Sequence, residues 1–329
     1  MLLRWFEHGQ VYHPDKVLDL IETKRAEPFE DIWFKAQDGI SLNGWFFAAP
    51  ARSPTAVELR IPSGDLPGSS PSRPVEERVG ERRPFNPERS NSTVVAGPPR
   101  KDLVVLLCHG NAGNISGRVD LCQTFTRMGL NVFQFDYRGY GRSEGKPSEE
   151  GTYLDAEAAV KWLETKGFSS TNIIAFGESL GGGIASELAL RIPLAGIVLQ
   201  NTFTSIPDIG ADLFPWIPVR LMATIKYDTR SKLPRIDIPV MVIHSRADGL
   251  AGFHHAEKNF AAANEPKLFW ETHGEHNELL LDRPHFIEGM ERFLEMVEAY
   301  RKAAAAQRAL ERNSKPQTPT SKEAPNPKP

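Results

Sequence analysis

Short apolar runs alternate with amphipathic segments along most of this chain. Six runs have the length and composition of buried strands, and they lie at 103–107, 130–135, 173–176, 196–199, 239–243 and 268–270. Segments with apolar residues at helical spacing separate or follow them, at about 115–128, 151–165, 182–190, 253–262 and 284–302. Strands that alternate with helices predict an α/β fold with a mostly parallel sheet and helices on both faces. In such a sheet, we expect functional groups at the carboxyl ends of the strands.

Two further strands precede this series and indicate an antiparallel hairpin. They cover 29–36 and 40–47, and Gln37-Asp38-Gly39 between them is a strong signal for a tight turn. The residues before them, 1–28, show no single period. We therefore assign residues 1–50 to an N-terminal segment and hairpin that belong to the main domain.

Composition divides the rest of the chain. Residues 51–100 are rich in proline, serine, arginine and glutamate, and their few apolar side chains cannot offset the entropy of ordering, so we predict a disordered insertion. The core then covers 101–302, and a Pro- and Lys-rich tail at 303–329 is predicted to be disordered. Within the core, the apolar stretch 203–228 breaks the alternation and predicts a small lid, with an ordinary pair of connecting helices as the alternative.

Charge and cysteine content exclude several classes of protein. The 329 residues carry a net charge of −3, which does not indicate nucleic-acid binding. Two cysteines, Cys108 and Cys122, make no disulfide framework and indicate a reducing compartment. Because no apolar run reaches about 18 residues, we expect no transmembrane segment. The prediction is a cytoplasmic protein, with peripheral membrane association left open.

One pentapeptide carries the clearest chemical signal. Gly177-Glu178-Ser179-Leu180-Gly181 fits G-x-S-x-G, and it lies between a predicted strand and a predicted helix, as a nucleophile elbow requires. Glycines on either side of Ser179 avoid crowding the strand against the helix. A glycine-rich turn with a surface serine is the alternative interpretation, so the assignment depends on partners elsewhere in the chain.

A serine nucleophile needs a base within hydrogen-bond reach and an acid that orients the base. In this architecture the expected chain order is Ser, then Asp or Glu, then His. Asp248 follows the strand 239–243, and His276 follows the strand 268–270. We therefore predict Ser179, Asp248 and His276 as a catalytic triad.

Four other residues compete for these roles. His273 precedes His276 by three residues and is the main rival base. His285 lies at or inside the last helix, and Asp237 precedes its strand, so it belongs at the opposite edge of the sheet. Asp136 follows a strand but comes before the serine in sequence, which favours a structural role.

Metal and cofactor sites are not predicted. His273 and His276 have the spacing of a metal pair, but no set of cysteine or acidic ligands with matching spacing accompanies them. His254 and His255 begin a predicted helix, and we interpret them as a solvated helix end.

An oxyanion requires two backbone donors. The N–H group of Leu180, directly after the nucleophile, is the first candidate. The second is the N–H group of Asn111, in the loop 109–113 that follows the strand 103–107. This glycine-rich loop could also suit a phosphate, but it lacks the Lys and Ser/Thr of a phosphate-binding loop.

Several segments resemble the α/β-hydrolase superfamily, most closely the small-lid serine hydrolases that include the Bem-type and ABHD-type proteins, some of which are protein depalmitoylases. The segments lie between residues 103 and 281 and read LLCHGNAGN, FDYRGYGRSEGKPSEEG, FGESLGGGIA, HSRADGLAGF and GEHNELL. The resemblance implies an α/β-hydrolase fold with Ser179 as nucleophile, His276 as base and Asp248 as acid. It also implies hydrolysis of an ester, thioester or amide through an acyl-enzyme.

The predicted function is hydrolysis of small acyl esters or thioesters, free or carried by a protein or lipid, without a cofactor. One alternative is an aminopeptidase-like amidase or a lipase on the same fold. Another is a non-catalytic scaffold in which 51–100 and 303–329 recruit a partner.

Overall fold

The fold is organised around a mixed sheet of eight strands. The structure is a computed structural model, and it describes residues 2–19, 22–24, 28–50 and 100–314. The strands are β1 (His13–Pro14), β2 (Glu30–Lys35), β3 (Ser41–Phe47), β4 (Val104–Cys108), β5 (Ala112–Gly113), β6 (Asn131–Phe135), β7 (Ile173–Glu178), β8 (Gly196–Gln200), β9 (Val240–Ser245) and β10 (Lys267–Thr272). The large sheet has the order β10-β9-β8-β7-β4-β6-β3-β2, while β1 and β5 form a separate small sheet. The predicted insertion 51–100, apart from Arg100, lies outside the described residues.

Helices lie between and beyond these strands. They are α1 (Leu2–Val11), α2 (Val119–Arg127), α3 (Glu149–Thr165), α4 (Leu180–Arg191), α5 (Ile206–Leu213), α6 (Val219–Met222), α7 (Thr229–Lys232), α8 (Phe253–Ala262) and α9 (Arg283–Ser314), with 3₁₀ turns at Ile115–Arg118, Ser170–Asn172 and Leu233–Arg235. No helix in the described part of the chain is long and apolar enough to cross a membrane.

The predicted hairpin and parallel series are both present. β2 and β3 pair antiparallel around the predicted turn, and β3 continues antiparallel onto β6. The pairings from β6 through β4, β7, β8 and β9 to β10 are all parallel. The carboxyl ends of these six strands therefore meet along one edge of the sheet.

The core fills both faces of the sheet, because every residue of the central strands β4, β6 and β8 is buried. On one face, Phe125, Phe176 and Phe286 from α2, β7 and α9 pack edge to face. Cys108 and Cys122 are free and buried in this core. Such continuous apolar strands, covered on both sides, are what the sequence predicted for a parallel sheet.

The two ends of the chain differ from the sequence prediction. α1 begins at Leu2, in a segment with no clear period. α9 continues to Ser314, whereas we predicted disorder from residue 303. Four alanines at 303–306, followed by further strong helix formers, explain the longer helix. Residues 315–329 of the predicted tail lie outside the described residues.

Candidate active site

Ser179 occupies a strained turn between β7 and α4. Its φ of 52° and ψ of −111° are unusual for a residue with a side chain. Its backbone N–H donates to the carbonyl of Gln200 at 2.8 Å. A Cβ at Gly177 would lie 2.5 Å from the carbonyl oxygen of Gly181, and one at Gly181 would lie 1.9 Å from that of Cys108. The glycines therefore permit the close packing of helix on sheet that holds the turn.

The structure brings Ser179, His276 and Asp248 together. Nε2 of His276 lies 3.0 Å from Oγ of Ser179, and Nδ1 lies 2.7 Å from Oδ2 of Asp248. A carboxylate can only accept a hydrogen bond, so Nδ1–H donates to Asp248 and Nε2 is left to accept the serine proton. The three residues thus form one chain of hydrogen bonds with the polarity that general-base catalysis requires.

Asp248 is held from two sides. Its Oδ1 accepts the N–H groups of Leu250 at 2.9 Å and Ala251 at 2.8 Å, while Oδ2 faces His276. Burial would raise the pKa of Asp248, but the hydrogen bonds from His276 and the two backbone groups outweigh burial and lower that pKa below its usual value. The carboxylate therefore stays charged at neutral pH in a fixed orientation.

Asn201 positions the backbone of His276, and the sequence analysis missed it. Its Nδ2 donates to the carbonyl of His276 at 2.8 Å, and its Oδ1 accepts the N–H of Ser245 at 3.2 Å. Asn201 directly follows β8 and has a φ of 45°, a conformation that asparagine tolerates better than most residues. An asparagine at the carboxyl end of a strand was the available signal.

The loop after β4 is fixed by its carbonyl groups. The carbonyl of Asn111 accepts the N–H of His13 at 2.9 Å and the O–H of Tyr140 at 2.8 Å. The carbonyl of His109 accepts the O–H of Tyr137 at 2.9 Å. Leu180 begins α4, and N–H groups in the first turn of a helix have no partner within the helix. Asn111, Ser179 and Leu180 all line the same cavity.

Two buried titratable groups lie at this loop: His109, which is its first residue, and Asp136, which directly follows β6. Burial, reinforced by the charge of Arg118, lowers the pKa of His109 to about 3. Burial raises the pKa of Asp136 to about 7, and its Oδ1 accepts the N–H of Ile115 at 3.0 Å. Nε2 of His109 lies 3.7 Å from that oxygen. Asp136 thus takes the structural position that its place in the sequence favoured.

An ion pair lies directly beside the nucleophile. Nε of Arg118 contacts Oε2 of Glu178 at 3.1 Å, and both side chains are largely buried. Burial alone would raise the pKa of Glu178, but the guanidinium lowers it below its usual value. Arg118 also donates to the carbonyl of Asn114 at 3.2 Å. The pair therefore links the nucleophile turn to the loop that contains Asn111.

The cavity beside Ser179 has a volume of about 460 Å³ and walls that are mainly apolar. The side chains that line it come from the turn after Ser179, from α1 and from residues 203–228, the predicted lid, which we call the lid segment. They include Phe6, Val11, Leu180, Phe203, Ile206, Ile209, Leu213, Phe214, Ile217, Val219 and Met222. An apolar pocket with a few polar groups at one end suits an organic substrate with an apolar portion.

Comparisons with known proteins agree with this architecture. Residues 99–228 match the family Hydrolase_4, described as serine aminopeptidase S33. The chain is 39% identical over 193 residues to the uncharacterized protein Rv2307c of Mycobacterium tuberculosis, an alignment covering 58% of this chain and 69% of that protein. It is 38% identical over 122 residues to protein bem46 of Schizosaccharomyces pombe, covering 36% and 41% of the two chains. The esterase Pf2001 of Pyrococcus furiosus has the same fold, with a TM-score of 0.61, 18% identity and coverage of 86% and 98%.

The chain belongs to the α/β-hydrolase superfamily. The resemblance carried by the sequence motifs is thereby confirmed, as is the fold with its mostly parallel sheet. Hydrolase is the activity class that these similarities support.

The rival residues of this α/β-hydrolase lie in other positions. Nδ1 of His273 lies 3.6 Å from Oδ2 of Asp282. His285 lies inside α9, and its Nε2 is 2.9 Å from the carbonyl of Glu271. Asp237 precedes β9 and accepts a hydrogen bond from Asn264. The imidazole that contacts Ser179 is that of His276.

One prediction about the histidines was wrong. His255 is fully buried, not solvated, and its Nε2 lies 3.1 Å from Oδ2 of Asp212 on α5, while Nε2 of His254 lies 2.9 Å from the same oxygen. The three side chains are close enough to hold a metal ion. However, the backbone N–H of Thr204 donates to Nδ1 of His255, so the neutral ring carries its proton on Nε2, the atom a metal would need. The cluster fits a polar contact between lid and core better than a metal site.

Proposed function

We propose that this α/β-hydrolase is a serine hydrolase that cleaves small acyl esters or thioesters through an acyl-enzyme. The observation that supports it is the continuous chain of hydrogen bonds from Ser179 through His276 to Asp248, at 3.0 and 2.7 Å. A strained serine beside a correctly oriented imidazole is the arrangement that nucleophilic acyl transfer needs.

The reaction follows from the positions of these atoms. Oγ of Ser179 attacks the acyl carbonyl carbon while Nε2 of His276 takes the hydroxyl proton. The N–H groups of Leu180 and Asn111 stabilise the oxyanion, and each such donor is worth about 3–4 kcal/mol in comparable enzymes. The tetrahedral intermediate then expels the alcohol or thiol, which receives the proton from His276. Water, deprotonated by His276, hydrolyses the acyl-enzyme and restores Ser179.

The cavity favours an apolar acyl group over an amino-acyl group. An aminopeptidase needs an acidic group to bind the substrate amine, and the acid that lines this cavity is Glu7. Both oxygens of Glu7 already accept hydrogen bonds from Thr224, and one also accepts the N–H of Ile225. An aminopeptidase-like amidase is therefore the second candidate, supported by the description of the matching family.

Labelling with a fluorophosphonate probe tests the nucleophile. We expect labelling of the wild-type protein and none of Ser179→Ala, with Ser186→Ala as a control because that serine lies on the same helix and bonds to a backbone carbonyl. We also expect p-nitrophenyl acyl esters to be hydrolysed and amino-acyl p-nitroanilides to be spared. Persistent labelling of folded Ser179→Ala would contradict the proposal, and turnover of the anilides alone would favour the second candidate.

A further inference from the structure

The end of the lid segment is held by two carboxylates. Four consecutive backbone N–H groups, those of residues 224–227, donate to glutamate oxygens. Glu7 accepts the first two, at 2.6 Å from Thr224 and 2.8 Å from Ile225, and also the hydroxyl of Thr224 at 2.7 Å. Glu149 accepts the N–H groups of residues 226 and 227, both at 2.7 Å. This segment follows α6 directly, so the two carboxylates fix the position where the lid rejoins the core.

The two glutamates connect the lid to different parts of the molecule. Glu149 begins α3, whose buried residues pack into the core, and it accepts the hydroxyl of Tyr153 on that helix at 2.8 Å. Glu7 lies on α1, which packs outside the sheet. Glu7 therefore joins α1 to the end of the lid segment, and neither of these is part of the large sheet.

α1 is also attached to the candidate oxyanion loop. β1, directly after α1, pairs in parallel with β5, which places His13 opposite Ala112 and Pro14 opposite Gly113. Beside these two attachments, α1 contributes Phe6 and Val11 to the cavity next to Ser179. One face of α1 is thus part of the substrate cavity, and Glu7 holds that face against the lid.

We propose that Glu7 determines acyl-chain selectivity, by holding the apolar side chains of α1 and of the lid together as one wall for an extended, unbranched acyl chain. This inference rests on the proposed acyl-hydrolase function. An acetyl group needs only the environment of Ser179, whereas a longer chain must contact side chains of the cavity wall. A displaced wall therefore weakens the binding of long chains more than that of short ones. Glu7 is a positioning residue, because it acts through the wall that it holds.

The test compares p-nitrophenyl octanoate with p-nitrophenyl acetate. In Glu7→Gln the side-chain shape is kept but the charge is lost. The amide oxygen can still accept the two backbone N–H groups and the NH₂ group can face the hydroxyl of Thr224, so three charge-assisted hydrogen bonds become neutral ones of about half the strength. We expect the ratio of kcat/KM for octanoate to that for acetate to fall about tenfold, through KM, since contacts worth one or two methylenes change specificity by about that factor. Thr224→Val removes one of the bonds to Glu7 and is expected to lower the ratio about twofold. Glu164→Gln, on an exposed part of α3, is the matched control.

The outcomes separate this inference from the proposed function. The rate of fluorophosphonate labelling reports on Ser179 independently of chain length. If Glu7→Gln and Thr224→Val lower both esters equally or leave the ratio unchanged, Glu7 does not determine selectivity, although the hydrolase assignment stands. If Glu7→Gln does not fold, the ratio measured for Thr224→Val decides. If the wild-type protein neither reacts with the probe nor cleaves either ester, the proposed function fails and this inference with it.

Discussion

The carboxyl edge of the sheet and the wall of the cavity are built by different means. At the sheet edge, Ser179 is 6% and Asp248 5% exposed, and both are held by backbone groups of neighbouring strands or loops. His276 is partly buried and is held by the side chains of Asn201 and Asp248. In the lid segment, Trp216 is 77% exposed in the turn between α5 and α6, and Leu221 is 89% exposed on α6, which has four residues. The sheet therefore fixes the positions of the candidate reacting groups, while short helices and a turn form much of the cavity wall.

Large apolar side chains are exposed mainly around the cavity. Those in or beside the lid and α1 are Phe6, Leu213, Trp216, Leu221, Met222 and Leu250, and several of them also line the cavity. Scattered apolar residues are normal on a protein surface, but a group of them around a cavity indicates a binding function. The comparison therefore predicts that changes at the sheet edge abolish the chemistry, and that changes in the wall alter which substrates are used.

Replacement of the base at the sheet edge should have the largest effect. We expect His276→Ala to lower kcat by about 10⁴-fold or more, because the serine loses its proton acceptor and Asp248 its partner. His273→Ala is the matched control, three residues away, and should change kcat by less than about tenfold. Steady-state hydrolysis of p-nitrophenyl acetate measures both. A larger loss of kcat in His273→Ala than in His276→Ala would make His273 the base, and would contradict the assignment of His276 from its position after a strand.

The candidate site could be predicted to the extent that each residue follows its own strand. Ser179, Asp248 and His276 come from different strand ends, and the order of the three in the chain selected them among several acids and histidines. Asn201 could not be predicted in the same way, because its role is to hold a backbone carbonyl 75 residues away. His255 was misassigned because the start of a helix is usually solvated, whereas here α5 of the lid covers it.

The packing of helix on sheet at the nucleophile turn predicts a large effect on stability. A Cβ at Gly181 would lie 1.9 Å from a backbone oxygen of β4, an atom that cannot move without breaking the sheet. We expect Gly181→Ala to lower the free energy of unfolding by about 3 kcal/mol, the upper end for overpacking a core. Gly117→Ala is the control, because no atom beyond its immediate stretch of chain lies within 4 Å of its Cβ position and its φ is not positive. Equal unfolding midpoints in urea for the two variants would show that the turn tolerates a side chain.

The fold was predictable where the period of apolar residues was clear, and less so at its ends. Continuous apolar runs located the parallel strands, because a strand that is covered on both faces is apolar at nearly every position. α1 was missed because its cavity-facing residues are few and polar residues separate them. Its position depends on contacts with the lid and with β5, which no local pattern encodes.

The smallest predicted effect concerns pH and the contact between lid and core. Burial, and then the neighbouring His254, lower the pKa of His255 to about 4 in the folded protein, against about 6.5 in an unfolded chain. Between these values the unfolded chain binds a proton that the folded one does not, so stability contributed by neutral His255 is lost as pH falls from 6.5 towards 4. Burial lowers the pKa of His109 and acts in the same direction, while the raised pKa of Asp136 acts in the opposite one.

Comparing the pH dependence of the melting temperature of the wild type with that of His255→Gln isolates the contribution of His255, because His109 and Asp136 are present in both proteins. His255→Gln retains an N–H near the position of Nε2 but cannot be protonated. In thermal melts at matched ionic strength, the melting temperature of both proteins is measured at pH 7 and at pH 4.5. We expect the fall between these pH values to be about 2 °C smaller for the variant than for the wild type. The melting temperature of the variant at pH 7 is expected to be lower, since Thr204 loses a well-oriented acceptor. Parallel plots of melting temperature against pH for the two proteins would mean that His255 titrates alike in the folded and unfolded chains, and that the lid segment does not exclude water from it.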